Sequence, residues 1–200
     1  MLVVQTKEQT IPKMLIYEEW DGMPVYYKGY RQVLNGEKQP EEIMGSSALQ
    51  TYIVSVILGF LYKNLSTEKF FIGTNEAGLH LVKGTNLSSD ILIYEKKNLK
   101  ITKESLHYFD TPPYMVIEID VQADVKELFH TETNYFIRKT NKLREFGVQK
   151  VVWVFTEGKR LVIANDAKHW EMVTWDTPVE VAEGISFVLE DLVKAGGFDI

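Results

Sequence analysis

Apolar residues recur at Leu49, Tyr52, Ile53, Val56, Phe60 and Leu61, a spacing of three and four that predicts one helix over residues 47–65. Ser46 or Ser47 stands ready to cap it. Short apolar runs then follow at 69–73, 79–82 and 90–94, with Glu76-Ala77-Gly78 as a turn signal, and predict three strands. After a polar connection that closes on Pro112-Pro113, residues 114–120 read as a further strand. Phe129, Phe136, Leu143 and Phe146 lie on one helical face and predict a helix over 125–146, stopped by Gly147. The unbroken run 151–155 has the pattern of a central strand covered on both faces. A hairpin over 160–164 and 169–173 and a short helix over 188–193 complete the pattern. Residues 1–45 are mixed, and with the turn pair Asn35-Gly36 they predict an amphipathic start and then a hairpin. The expectation is a single domain over 1–200, with 1–45 as an N-terminal extension packed on the core.

The strand Tyr114-Met-Val-Ile-Glu-Ile-Asp120 breaks its own pattern by carrying two acids. Alternation sends Met115, Ile117 and Ile119 to one face and Val116, Glu118 and Asp120 to the other. Ionised carboxylates are costly to bury without a partner. On the helix that follows, Lys139 lies about 60° from Phe136, inside the apolar stripe, whereas Arg138 points away from it. Lys139 is therefore the candidate cation. Two ordinary readings stand beside this one: a lysine that runs its ammonium out to water, and an edge-strand Glu118 paired with an arginine.

Composition narrows the choice. The 200 residues are 45% hydrophobic, enough for one substantial core. A net charge of -6 disfavours a broad grip on nucleic acid and leaves room only for a local basic cluster, for which Lys96, Lys97, Lys100 and Lys103 are candidates. With no cysteine there is no disulfide, thiolate metal site or cysteine nucleophile. The four histidines, at 80, 107, 130 and 169, lack metal-ligand spacing. The start has no signal-peptide pattern, and the apolar run 53–61 is too short to span a bilayer, so a cytoplasmic protein with no membrane partner is expected.

Asp90 opens the apolar run 90–94 and could neighbour Glu118. By itself an Asp at a strand start is ordinary turn chemistry. Together with Glu118 and Lys139 it provides two carboxylates for a hard divalent cation and one ammonium, the minimum for metal-assisted phosphodiester hydrolysis. The Ile119 carbonyl is a further possible ligand, and Glu37 or Glu42 could complete the coordination.

The order of these parts resembles the Uma-two family, proposed restriction endonucleases of the PD-(D/E)XK nuclease superfamily. The matching pieces are Gly45-Ser-Ser-Ala-Leu-Gln-Thr-Tyr, Gly84-Thr-Asn-Leu-Ser-Ser-Asp-Ile-Leu-Ile-Tyr, Met115-Val-Ile-Glu-Ile, and Lys139 on to Phe146-Gly-Val-Gln-Lys-Val-Val-Trp-Val. The resemblance implies a mixed α/β (α+β), restriction endonuclease-like fold, a central mixed sheet flanked by helices, often a homodimer. It also implies a Mg²⁺- or Mn²⁺-dependent endonuclease acting on DNA, with Asp90, Glu118 and Lys139 catalytic. Metal would be held by Asp90, Glu118 and Asp120, the last standing where the superfamily has its strand lysine. Ser89 replaces the usual proline, and Leu49, beside Gln50, stands where the family often has a histidine. The Asp120 exchange either adds a ligand or marks a site that has drifted from catalysis. The alternative function is thus a non-catalytic binding or interaction protein on a nuclease-like scaffold.

Overall fold

The computed structural model describes residues 10–166, 169–198 and 200. The chain enters through a hairpin, β1 (Ile16–Trp20) and β2 (Met23–Tyr26), turned at Asp21-Gly22, both with positive φ. Two short helices follow, α1 (Tyr30–Leu34) and α2 (Glu41–Met44). The Asn35-Gly36 pair that suggested a hairpin instead ends α1; the hairpin lies upstream. Helix α3 (Ala48–Asn64) starts at Ser47, whose hydroxyl accepts the Gln50 amide at 3.1 Å, and it buries Gln50, Ile53, Ile57 and Leu61.

Where three short strands were expected there are two long ones, β3 (Phe70–Val82) and β4 (Thr85–Glu95), paired antiparallel along their length. The Glu76-Ala77-Gly78 signal marks a bulge, not a turn. Asn75 and Glu76 have φ of 69° and 50°, the register jumps between Thr74 and Ala77, and the strand continues. Strand β5 (Met115–Ile119) is buried at every residue. Helix α4 (Glu132–Phe146) is shorter than its apolar pattern. Thr131 caps it, and Phe129, which extended the pattern upstream, reaches the same core from the preceding loop. Gly147, with φ 119°, stops it as expected.

The remaining elements are β6 (Lys150–Phe155), β7 (Arg160–Ala164), β8 (Trp170–Thr174), the small hairpin β9 (Val179–Ala182) with β10 (Ile185–Phe187), and α5 (Leu189–Ala195). The main sheet runs β2-β1-β4-β5-β6-β7-β8, with β3 also paired to β4. It is mixed, since β5 and β6 are parallel and α4 is their crossover. Strand β6 is interior, as its unbroken apolar run predicts. Its Val152 and Val154 join the core under α3 and α5, while Val151 and Trp153 join the core under α4. Residues 16–26 are not appended to this sheet but belong to it, because β1 pairs with β4.

Candidate functional site

Helix α4 directs Tyr135, Lys139 and Leu143, one turn apart, at the sheet, and all three are buried. The Lys139 ammonium does not reach water: the residue is 1% exposed. Its Nζ lies 3.1 Å from Glu118 Oε1 and 2.9 Å from Glu18 Oε1, and it donates to the Ser88 carbonyl at 2.6 Å. The rings of Tyr17, Tyr135 and Trp153 stand 5.6–5.9 Å from it, so aromatic faces close the remaining directions.

Strand register brings in the acid from β4. Ile91 pairs with Ile117, and one step beyond that pair Asp90 Oδ2 accepts the Ile119 amide at 2.7 Å. Asp90 Oδ1 accepts Gln50 Nε2 at 3.1 Å, and the same Gln50 nitrogen donates to the Ile119 carbonyl at 3.3 Å. Asp90 borders a cleft of about 540 Å³ between the start of α3 and the Glu76 bulge. Glu118 and Lys139, remote in sequence, thus meet, and Asp90 lies near enough for its charge to act on Glu118.

Two members were missed. Glu18, 2% exposed, uses both oxygens fully: Oε1 accepts Ser88 N at 3.1 Å besides facing Lys139, and Oε2 accepts Trp20 Nε1 at 2.8 Å and Tyr135 OH at 2.9 Å. Alternation could have found it, since Glu18 and Trp20 share a strand face and a tryptophan inside marks that face as buried. Gln50 carried no such signal. It is a polar residue in the first turn of a helix, and only its contacts show that it belongs here.

Asp120 is not brought into the cluster. Strand β5 ends at Ile119, and Asp120 takes a left-handed conformation, φ 54°, which breaks the alternation that put it beside Glu118. Its carboxylate accepts Thr156 N at 2.9 Å and Thr156 Oγ1 at 2.7 Å, tying β5 to the end of β6. Glu42 accepts the Gln39 amide and Glu37 the Asn35 side chain, both at the surface. The lysines at 96–103 begin past the end of β4; six residues of extended strand put Lys96 about 20 Å from Asp90.

Burial dominates the electrostatics. It raises the Glu118 carboxyl to about 8, against the pull of Lys139, with Asp90 adding repulsion. It raises Asp90 to about 6, against the Ile119 amide and Lys139. Burial alone would depress Lys139, but Glu118 and Glu18 outweigh it and hold the ammonium well above its ordinary value. Glu118 Oε1, though at ion-pair distance from Lys139, has no hydrogen-bond partner. Among the described residues no three His, Asp or Glu side chains are grouped so as to hold a metal ion.

No family model and no curated protein matches the chain. A solved structure does: the crystal structure of "a putative nuclease belonging to DUF820" from Anabaena variabilis ATCC 29413, with a TM-score of 0.66 over 90% of each chain at 10% identity. The chain shares that fold. At this identity the likeness concerns the path of the backbone, and the chemistry rests on the residues above. Among the described residues no helix is long and apolar enough to cross a membrane.

These groups can fix one lysine rigidly, hold Glu118 in a low-dielectric pocket with a free oxygen, and present Asp90 to a cleft. Buried ion clusters add little to stability compared with apolar packing, and strongly perturbed carboxyls beside a cleft make this one a candidate site.

Proposed function

We propose that the chain is a divalent-metal-dependent phosphodiesterase, an endonuclease with DNA as its substrate, of the PD-(D/E)XK kind that its motifs resemble. The observation that carries this reading is the meeting of Lys139 and Glu118, 3.1 Å apart, next to an Asp90 that faces a cleft. The donor set suits Mg²⁺ or Mn²⁺: two carboxylates and the Ile119 carbonyl, all hard oxygens, with water completing the shell. The partnerless buried oxygen of Glu118 is the kind of atom such an ion satisfies. When bound, the ion would polarise a phosphate oxygen and acidify a water molecule. Asp90 and Glu118 would hold it, and the Ile119 amide keeps Asp90 oriented. Lys139 offsets the negative charge at Glu118 from 3.1 Å and so holds that carboxylate in place for the ion.

The test is cleavage of plasmid and of fluorescent duplex DNA by the full chain with Mg²⁺ or Mn²⁺. Cutting is expected with either ion, and its loss in EDTA and in Asp90→Asn, Glu118→Ala and Lys139→Ala, with circular dichroism confirming that each variant is folded. Cutting that survives in folded variants would exclude this site.

A second reading has its own observation. The Lys139 ammonium already has protein partners, the Ser88 carbonyl and the carboxylate of Glu18 beside that of Glu118, as in a cluster kept for binding or interaction without catalysis. It predicts a folded wild-type chain that cuts nothing with either ion and shows no stoichiometric Mn²⁺ uptake in calorimetry.

A further inference from the structure

Gln50 sits where the cation of the proposed site would sit. Its Nε2 lies 3.1 Å from Asp90 Oδ1 and 3.3 Å from the Ile119 carbonyl, so its two hydrogens serve the two oxygens that would otherwise ligate an ion. The amide orientation is forced. Reversed, its oxygen would face two acceptors and its NH₂ would face the Gln122 Nε2, which now donates to Gln50 Oε1 at 2.8 Å. Gln50 is 1% exposed, and its backbone amide is held by the Ser47 cap, so only the side chain is free to move. A cleft lined by Ser46, Thr51, Val54, Glu76 and Asp90 meets this arrangement at Asp90.

We infer that the Gln50 side chain is a built-in plug of the divalent-cation position: it satisfies Asp90 and the Ile119 carbonyl while no ion is bound, and must swing aside before one can enter. The inference rests on the proposed metal site and adds that the site's affinity is set by competition with an amide of the same chain. Gln50 is on this view a positioning residue. Gln122 stabilises the plugged state through the Gln50 carbonyl.

The experiment is Mn²⁺ binding by the full chain, followed by calorimetry and by the loss of the free-ion electron paramagnetic resonance signal. Gln50→Ala should bind Mn²⁺ about tenfold or more tightly than wild type, the scale of one hydrogen bond to a charged group that no longer has to be broken. Gln122→Ala, at a part-buried position where folding is safer, should bind a few-fold more tightly, and Asp90→Asn should abolish binding in either background. Thermal melts should show Mn²⁺ raising the Tm of Gln50→Ala by more than that of wild type. Equal or weaker binding in both glutamine variants, with wild type binding normally, overturns the plug and leaves the metal site standing. No binding in wild type or in either variant overturns the metal site and the plug with it.

Discussion

At Lys139 a single ammonium answers two carboxylates and a carbonyl, and three aromatic rings shut out water. Residue-level periodicity is enough to predict that Lys139 faces inward. It does not reveal that Glu18 is waiting there, because the partner comes from a strand 121 positions earlier in the chain (139 − 18). Burial of the carboxyls near Lys139 has a consequence for pH. Asp90 is raised from 3.8 to about 6 and Glu118 from 4.5 to about 8, so the folded chain keeps protons that the unfolded chain has already lost. Across roughly pH 4 to 8 unfolding therefore releases protons, and stability falls as pH rises, the stabilisation being complete below the unfolded values and gone above the folded ones. In EDTA-treated protein the Tm should decline from pH 5 to pH 8.5, and Glu118→Gln should remove the part of the decline above pH 6. A Tm that stays level or climbs over that range would show that these carboxyls are already ionised.

Among the elements, the late strands and the capped helix ends matched their predicted positions, whereas α4 starts at Glu132 and not at 125. Helix α3 begins at Ser47 and α4 ends at Gly147, both where local chemistry placed them. The turn expected at 76–78 failed because one residue type serves two structures. Asn75 and Glu76 accept positive φ, which suits a turn and a bulge equally, and only the pairing of β3 with β4 on both sides decides for the bulge. That bulge matters for the cleft, since it sets Glu76 at the wall opposite α3, where burial raises its carboxyl and Tyr27 OH donates to it at 3.2 Å. The end of α4 gives a direct check. Gly147 has φ 119°, and a Cβ there would lie 3.0 Å from Pro112 Cγ, so Gly147→Ala should cost about 1–2 kcal/mol in urea unfolding. An unchanged midpoint would mean that the cap contributes nothing to the stop.

For the whole molecule, the central fact is that the N-terminal hairpin is structural. Strand β1 pairs with β4, Trp20 packs edge-on against Phe129 in the core under α4, and Glu18 completes the lysine pocket. If these strands merely lay on a finished core, a chain beginning at residue 28 would still melt cooperatively. The architecture predicts the opposite: loss of β1 exposes the β4 edge, leaves a void where Trp20 was and deprives Lys139 of one of its two acids. That truncated chain should elute as aggregate in size-exclusion chromatography and give no cooperative thermal transition. A monomeric, cooperatively melting product would return these residues to the status of an appendage.

What the sequence determined by itself is what short-range physics controls: helix stripes and their caps, the two-sided burial of residues 151–155, the inward placing of Lys139, and the need for something to answer the acids of residues 118 and 120. Tertiary structure alone decided which acids count. Asp120 left the cluster through a backbone rotation at the end of β5, while Glu18 and Gln50 joined it through strand pairing and helix placement. The reason is that a periodic pattern reports which way a side chain points relative to its own element, whereas ligation and ion pairing depend on distances between elements, and these are set by register, twist and bulges that no single segment encodes.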